Sequence, residues 1–348
     1  MIFVTGGAGF IGANFVLDWL AAGGEPVLVI DKLTYAGRLE NLDAVRGSPG
    51  LHVVQADICD AAAMRDLLAT WQPRAVVHLA AESHVDRSIG APAAFVRTNI
   101  DGTFVLIEAV RHHLAGLSSA AQRGFRFLHV STDEVYGSLD LDARPLAEGA
   151  CYAPSSPYAA SKAAADHLVR ASHRTYGLPA LIAVSSNNYG PRQHPEKLIP
   201  RMIVSALAGE PLPVYGDGAN VRDWLHVSDH CAALRRVLAQ GSVGETYHVS
   251  AAGERRNIDV VHAICRLLDE MAPRPGAAHA ARIAFVADRA GHDRRYALDA
   301  GRLRAKLGWA PARDFDQGLR ETVAWYLAHP RWIAEARAVP APTLQVSP

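Results

Sequence analysis

The chain is poor in several features that mark whole classes of protein. Its four cysteines, Cys59, Cys151, Cys231 and Cys265, are far apart and show no C-x-x-C or Cys/His ligand spacing. That argues against a disulfide framework and points to reduced thiols, mostly core filler, in a cytosolic protein. Net charge is lacking too, with 35 basic and 35 acidic residues. Such a balance leaves no electrostatic footprint for nucleic acid or an anionic membrane, and favours a metabolite or a neutral partner. The 16 histidines, His112-His113 among them, lack the i, i+4 pair with a helical glutamate of a hydrolytic zinc site, so no metal is expected. No apolar run reaches membrane-spanning length, Ile2-Phe3-Val4-Thr5 has none of the zones of a signal peptide, and no internal repeat is visible. A cytoplasmic protein is expected.

At 348 residues the chain exceeds the usual single core, which implies two domains or one enlarged α/β domain. Short apolar runs at 1–5, 26–31, 51–56, 75–80, 126–131 and 180–185 alternate with helical stretches at 10–22, 60–71, 93–117 and 156–177. This alternation predicts an α/β fold with a doubly wound parallel sheet, each helix being long enough for a crossover. After Ser186, prolines 191, 195, 200, 211 and 213 punctuate short elements, and residues 223–250 read as a return to the sheet. The expected division is 1–186 plus about 223–250 for the sheet domain, about 187–222 and 251–332 for a smaller mixed substrate-binding domain, and a frayed tail at 333–348.

Gly6-Gly7-Ala8-Gly9-Phe10-Ile11-Gly12 follows the first predicted strand and opens a helix, the context a dinucleotide fingerprint requires. Gly6, Gly9 and Gly12 suit a tight turn and close approach of a pyrophosphate to the helix N-terminus. Asp31 ends the next strand, where a carboxylate binds both ribose hydroxyls and repels a 2′-phosphate, so NAD is favoured over NADP despite Lys32 and Arg38 nearby. Asp57-Ile58 stands where an adenine edge is met, and equally reads as a strand-to-helix cap. The small residues of Leu79-Ala80-Ala81-Glu82-Ser83 let a cofactor lie close to the backbone, as loose packing also does.

Tyr158 and Lys162 share one face of a predicted helix. The functional reading is a tyrosinate base stabilised by the ammonium and by an oxidised nicotinamide, which asks for a phenol lowered by roughly 3 units. Thr132 is placed to hydrogen-bond the hydroxyl being oxidised. Asp133 and Glu134 beside it read in isolation as solvated acids or a helix cap; in a hydride-transfer site they are the acid and base of a β-elimination.

These segments, with DKLTYAG, LAAESHVDRS, STDEVYG, YAPSSPYAASK, NNYGPRQHPEKLIP, VYGDGANVRDWLHV and DRAGHDRRYALD, resemble the extended short-chain dehydrogenase/reductases. The similarity is strongest to the sugar-nucleotide 4,6-dehydratases acting on dTDP-glucose, and runs from Ile2 to about His329. STDEVYG discriminates, since epimerases of the superfamily lack the paired acids. The resemblance implies a Rossmann domain, NAD, a homodimer joined by a four-helix bundle with 93–117 and 156–177 as candidates, and a reaction without net redox. By it Tyr158 takes the 4-hydroxyl proton, Glu134 the C5 proton, and Asp133 protonates the departing C6 hydroxyl.

It further implies cofactor contacts at Phe10, Ile11, Asp31, Lys32, Leu33, Thr34, Asp57, Ile58, Thr98, Tyr158, Lys162 and Asn188. Substrate contacts are implied at Ser83, Thr132, Asn187, Lys197, Leu198, Pro213, Tyr215, Arg222, Asn257, Arg289 and His292. Arginines suit a diphosphate, although Arg222 and Arg289 also read as surface ion-pair partners. The chain departs from the family pattern at Ala290, usually proline, and His226, usually tyrosine. It offers no clear match for the C-terminal tyrosine that some members use, Tyr326 being its last. Three rivals stay open: a 4-epimerase, a dehydratase of a UDP- or GDP-hexose, and a silent dinucleotide-binding module.

Overall fold

The computed structural model describes residues 1–274, 276 and 278–338. In chain order the strands are β1 (Ile2–Thr5), β2 (Val27–Asp31), β3 (Leu51–Gln55), β4 (Ala75–His78), β5 (Arg126–Thr132) and β6 (Ala180–Ser185). Then come β7 (Asn187–Tyr189), β8 (Leu212–Tyr215), β9 (Val221–His226), β10 (Thr246–Val249), β11 (Glu254–Arg256) and β12 (Ile283–Val286). Seven strands form one sheet in the order β10-β6-β5-β4-β1-β2-β3, every pair parallel. β1 is central, with Ile2 facing Val27 on one side and Ala75 on the other. The order reverses between β1 and β4, the switch point at which ligands bind in such sheets.

IFVT, VLVID, AVVH and ALIAVS are buried at every position, as strands covered on both faces must be. Their period of two sorts the side chains between two cores. Ile2, Val4, Val27 and Val29 meet Phe15 and Val16 of the helix Phe10–Ala21 and Leu234 and Val237 of the helix Val227–Gln240. Phe3, Leu28, Ile30 and Val76 meet Met64, Leu106, Val110 and Val169 from the helices Ala61–Trp71, Gly102–Ala115 and Pro157–Tyr176. The expected doubly wound α/β fold is thereby observed.

A third core joins Ile199, Met202 and Ile203 to Val260, Val261, Ile264, Leu319 and Val323, from the helices Leu198–Ala208, Asn257–Met271 and Phe315–Ala328. Over it lie a mixed three-stranded sheet, β11-β9-β7, and the parallel pair β12-β8. This is the smaller mixed portion the sequence suggested.

Three segments differ from expectation. Residues 223–226 complete β9 in the three-stranded sheet, and the return to the large sheet starts at the helix Val227–Gln240. The helix expected at 93–117 runs unbroken over 92–115 but is not α-helical throughout: Pro92–Phe95 leads through a π-helical turn, Val96–Asp101, into Gly102–Ala115. The wide turn carries Asn99 inward, where its side chain binds the backbone N–H and carbonyl of Glu82 at 2.8 and 2.9 Å and Ser161 Oγ at 2.9 Å. Residues 333–338, expected to fray, belong to the helix Pro330–Ala338, which buries Trp332 and Ala336; the remainder of that tail, 339–348, lies outside the described residues. Among the described residues no helix is long and apolar enough to cross a membrane.

Candidate active site

The glycine turn follows β1 for steric reasons. Gly6 has φ +69°, and a Cβ there would stand 2.6 Å from the Ala80 nitrogen; at Gly12 a Cβ would overlap the Gly6 carbonyl. Gly9 caps the helix Phe10–Ala21 without a side-chain hydrogen bond, so the first-turn N–H groups have no intrahelical partner and stay open to an anion. Asp31, at the end of β2, accepts from the Ala8 and Leu33 nitrogens at 3.0 and 2.9 Å, and burial raises its pKa.

The cations near Asp31 are engaged elsewhere. Lys32 pairs with Asp57 at 2.7 Å. Arg38 is turned away, bound to Glu335 at 3.1 Å and to Glu40 at 3.4 Å. Neither is free to hold a 2′-phosphate, so the donor set fits NAD. Asp57 is not the helix cap: Asp60 is, accepting from Ala62 and Ala63, while Asp57 lines the cleft.

One cleft runs over the C-terminal ends of the central strands. Gly6, Gly9, Phe10, Ile11, Gly12, Asp31, Lys32, Thr34, Asp57, Ile58, Leu79, Ala80, Ala81, Ser83, Thr98, Asn188, Tyr158 and Lys162 all line it, with Thr132, Asp133 and Glu134. Leu33 alone of the expected cofactor contacts does not; its backbone, at φ 56°, turns to donate to Asp31. A second chamber gathers Asn187, Lys197, Leu198, Pro213, Tyr215, Arg222, Asn257, Arg289 and His292, and shares Glu134, Asn187, Asn188, Gln193, Glu196 and Lys197 with the first. The expected substrate contacts Ser83 and Thr132 face the first chamber.

The catalytic helix Pro157–Tyr176 starts cleanly, with Ser156 Oγ accepting from the Ala159 nitrogen at 3.1 Å and Pro157 in the first turn. Its buried face carries Tyr158, Lys162 and Asp166. Lys162 Nζ donates to the Val130 carbonyl at 2.8 Å, and burial lowers its pKa to about 8. The lowering expected of Tyr158 needs the charge of an oxidised nicotinamide as well as Lys162, and the protein's own groups act the other way. Burial and then the charge of Glu134 push the phenol well above its ordinary value, against a hydrogen bond with Thr132. The protein's own groups therefore favour the protonated phenol, through burial first and then the charge of Glu134.

β5 ends at Thr132, whose Oγ1 accepts from the Glu134 nitrogen at 3.4 Å and donates to Asp133 Oδ1 at 3.3 Å. Asp133 is 3% exposed and its Oδ2 has no hydrogen-bond partner among the described residues. Burial first, then the neighbouring Glu134 charge, raise its pKa well above the carboxylate range. Burial raises Glu134 too, but Lys197, Arg289 and Arg222 oppose it by favouring the ionised form. The environment thus pushes the pair apart into a protonated acid and a more readily ionised base.

In the second chamber Arg289 Nη1 and Tyr215 Oη bind the two oxygens of Asp86 at 3.1 and 3.0 Å. Arg222 is buried, donates to the Asp293 carbonyl at 2.8 Å and lies 4.2 Å over the Tyr296 ring. Arg222 is thus no surface ion-pair partner, whereas Arg289 does pair, with Asp86, at the edge of the chamber. Asn187 Oδ1, Asn257 Oδ1 and Arg289 Nε are buried without hydrogen-bond partners among the described residues, the polar atoms a bound molecule would satisfy. His226 caps the helix Val227–Gln240, its Nδ1 2.7 Å from Ser228 Oγ.

Several residues about the site were not singled out from the sequence. Glu82, His84, Asp86, Gln193, His194, Glu196 and Arg201 line the chambers. Most stand inside LAAESHVDRS and NNYGPRQHPEKLIP, so the motifs held the signal without showing which side chains turn inward. A C-terminal tyrosine does reach this region: Tyr296, from DRAGHDRRYALD, binds Asp293 at 2.6 Å and feels the Glu134 charge.

A family model described as GDP-mannose 4,6 dehydratase matches residues 3–322. With the parallel sheet, this makes the chain an extended short-chain dehydrogenase/reductase of the sugar-nucleotide dehydratase class. A dTDP-glucose 4,6-dehydratase of Xanthomonas campestris pv. campestris (strain B100) is 57% identical over 331 residues, covering 95% of this chain and 94% of that protein. The dTDP-glucose 4,6-dehydratase of Streptomyces venezuelae, solved with NAD bound, is 44% identical with a TM-score of 0.89, covering 97% and 99% of the two chains. A UDP-glucose 4-epimerase of Thermotoga maritima has the same fold at 28% identity and a TM-score of 0.81, over 94% and 99%. The chain belongs to the dTDP-glucose 4,6-dehydratase family.

Proposed function

We propose that this protein converts dTDP-glucose to dTDP-4-keto-6-deoxyglucose and water with NAD as a resident cofactor. The observation that carries the reading is the acid pair at the end of β5 beside Tyr158, with Asp133 buried in the first chamber and Glu134 opening on both. An epimerase has no use for a proton donor there, and a silent module has no use for either acid. Residues 1–186 with about 223–250 would hold NAD, and about 187–222 with 251–332 the sugar nucleotide. NAD, when bound, supplies a reversible hydride acceptor and a positive charge close to the tyrosine.

The chain's own groups then divide the proton transfers. Thr132 Oγ1 orients the sugar 4-hydroxyl, and Tyr158 Oη takes its proton as C4 becomes a ketone. The ketone acidifies C5, and Glu134 removes that proton. Asp133 delivers its proton to the C6 oxygen, which leaves as water; the hydride taken from C4 would then return at C6 while Glu134 gives its proton back to C5, so that the 4-keto-6-deoxy sugar forms without net redox change. Burial of Arg222 and the partnerless Arg289 Nε support a diphosphate between them.

The substrate is tested by offering dTDP-, UDP- and GDP-hexoses to the purified protein and following the alkaline absorbance of a 4-keto product. Turnover with dTDP-glucose at least about tenfold above the others, a preference of ~1.4 kcal/mol, is expected. Equal or greater turnover with UDP- or GDP-glucose overturns the dTDP assignment.

The same reading includes a homodimer in the cytoplasm. Val96 and Phe104, 47% and 51% exposed, and Tyr176, 58% exposed, stand on or beside the helices proposed for a four-helix bundle. Free cysteines, with Cys151 exposed, suit a reducing compartment. Sedimentation equilibrium is expected to give twice the chain mass, and Phe104→Glu to shift it toward the monomer; a monomeric parent removes this part of the proposal.

A further inference from the structure

Beneath the two chambers lies a buried carboxylate that the proton transfers above do not use. Asp166 follows Lys162 by one turn of the helix Pro157–Tyr176 and is 0% exposed. Its Oδ2 accepts from Ser131 Oγ at 2.8 Å and from Tyr152 Oη at 2.7 Å, and its Oδ1 lies 3.1 Å from His129 Nε2. His129 and Ser131 belong to β5, the strand that delivers Thr132, Asp133 and Glu134 to the site. Tyr152 is held in turn by Arg170, whose Nη2 donates to its hydroxyl at 2.6 Å. One carboxylate thus ties the helix of Tyr158 and Lys162 to the strand of the paired acids.

An ion in such a place is costly unless its charge is matched. Lys162 is faced by Asp166 on its own helix, by the Val130 carbonyl and His129 on β5, and by His78 on β4. Burial keeps both histidines neutral, His129 being lowered to about 4. Asp166 itself is held below its usual range: His129, Lys162 and Tyr152 outweigh the burial that opposes its charge. Among these neighbours Asp166 is the one negative charge that favours the ammonium.

We propose that Asp166 is a positioning residue, which locks the Tyr158–Lys162 helix in register with the end of β5 and supplies the counter-charge that keeps Lys162 an ammonium beneath the tyrosine. The proposal rests on the reading of Tyr158 and Lys162 as the hydride-transfer pair. It separates two effects. Locking acts through contact and needs Ser131; charge acts on the protonation of Lys162 and needs the carboxylate alone.

The test measures kcat, KM and the pH profile of kcat with dTDP-glucose for the parent, Asp166→Asn and Ser131→Ala. Without the carboxylate, Lys162 loses its proton at lower pH, so in Asp166→Asn the alkaline limb is expected to move down by about one unit or more. Its kcat falls at least about tenfold, while KM stays within about twofold because Asp166 lines neither chamber. Ser131→Ala is expected to lower kcat several-fold with the limb unmoved. A drop in Asp166→Asn with an unmoved limb overturns the charge role, since a merely structural defect lowers kcat at all pH values alike. Parental kcat in Ser131→Ala overturns the locking role, and does so even where Asp166→Asn folds poorly. A parental chain without turnover overturns this proposal and the proposed function together; an active parent confines any failure to Asp166.

Discussion

Tyr158→Phe is expected to abolish turnover of dTDP-glucose, with kcat lowered about a thousandfold and no transient reduced-cofactor absorbance. The substitution removes one oxygen and little else. The ring is buried, stands edge-on to Phe95 at 6.3 Å, and keeps that packing as phenylalanine. What is lost is the only group proposed to take the 4-hydroxyl proton, and a positioned general base contributes about 10²–10⁴-fold. A thousandfold loss is ~4 kcal/mol of barrier. Parental absorbance kinetics would remove the role given to Tyr158. Because burial and the charge of Glu134 hold the phenol up, the base needs the positive charge that bound NAD would place beside it, and turnover should climb with pH along a limb set by that complex.

The second large effect is expected at the paired acids. Glu134→Gln and Asp133→Asn each retain shape and hydrogen-bonding atoms but cannot exchange a proton in the needed direction. Formation of the 4-keto-6-deoxy product should fall about a hundredfold or more in either, with NAD still bound. Product at the parental rate from either variant would sink the elimination assignment. The two differ in stability. Asp133 is held protonated by burial, so the folded chain retains a proton that the unfolded chain releases above the ordinary aspartate range. Stability is then lost as pH rises from that range toward the folded value. Asp133→Asn escapes this loss, and its melting temperature should exceed the parent's by a margin that widens from pH 4 to pH 7.

Much of this was legible because it is local. The apolar runs of β1, β2, β4 and β6 announce a sheet buried on both faces, and a four-residue spacing puts Tyr158 and Lys162 on one helical face. The helix at 93–117 carries a π turn for a reason that is not local: the turn is held by Asn99 binding Glu82 and Ser161, across 17 and 62 residues of chain. Residues 223–226 were assigned to the wrong sheet because β9 pairs with β7 and β11, and pairing is not written in either segment alone.

By itself the sequence determined the nucleotide turn, the carboxylate at Asp31, the tyrosine–lysine spacing and the adjacency of Asp133 to Glu134, all of which depend on residues a few positions apart. The tertiary structure decided their electrostatic states. It turned Arg38 away from Asp31 toward Glu335, joined Arg289 to Asp86 across 203 residues, and brought Ser131, Tyr152 and His129 around Asp166. Protonation in a buried site follows from desolvation and from which charges lie nearby, and both are set by long-range packing.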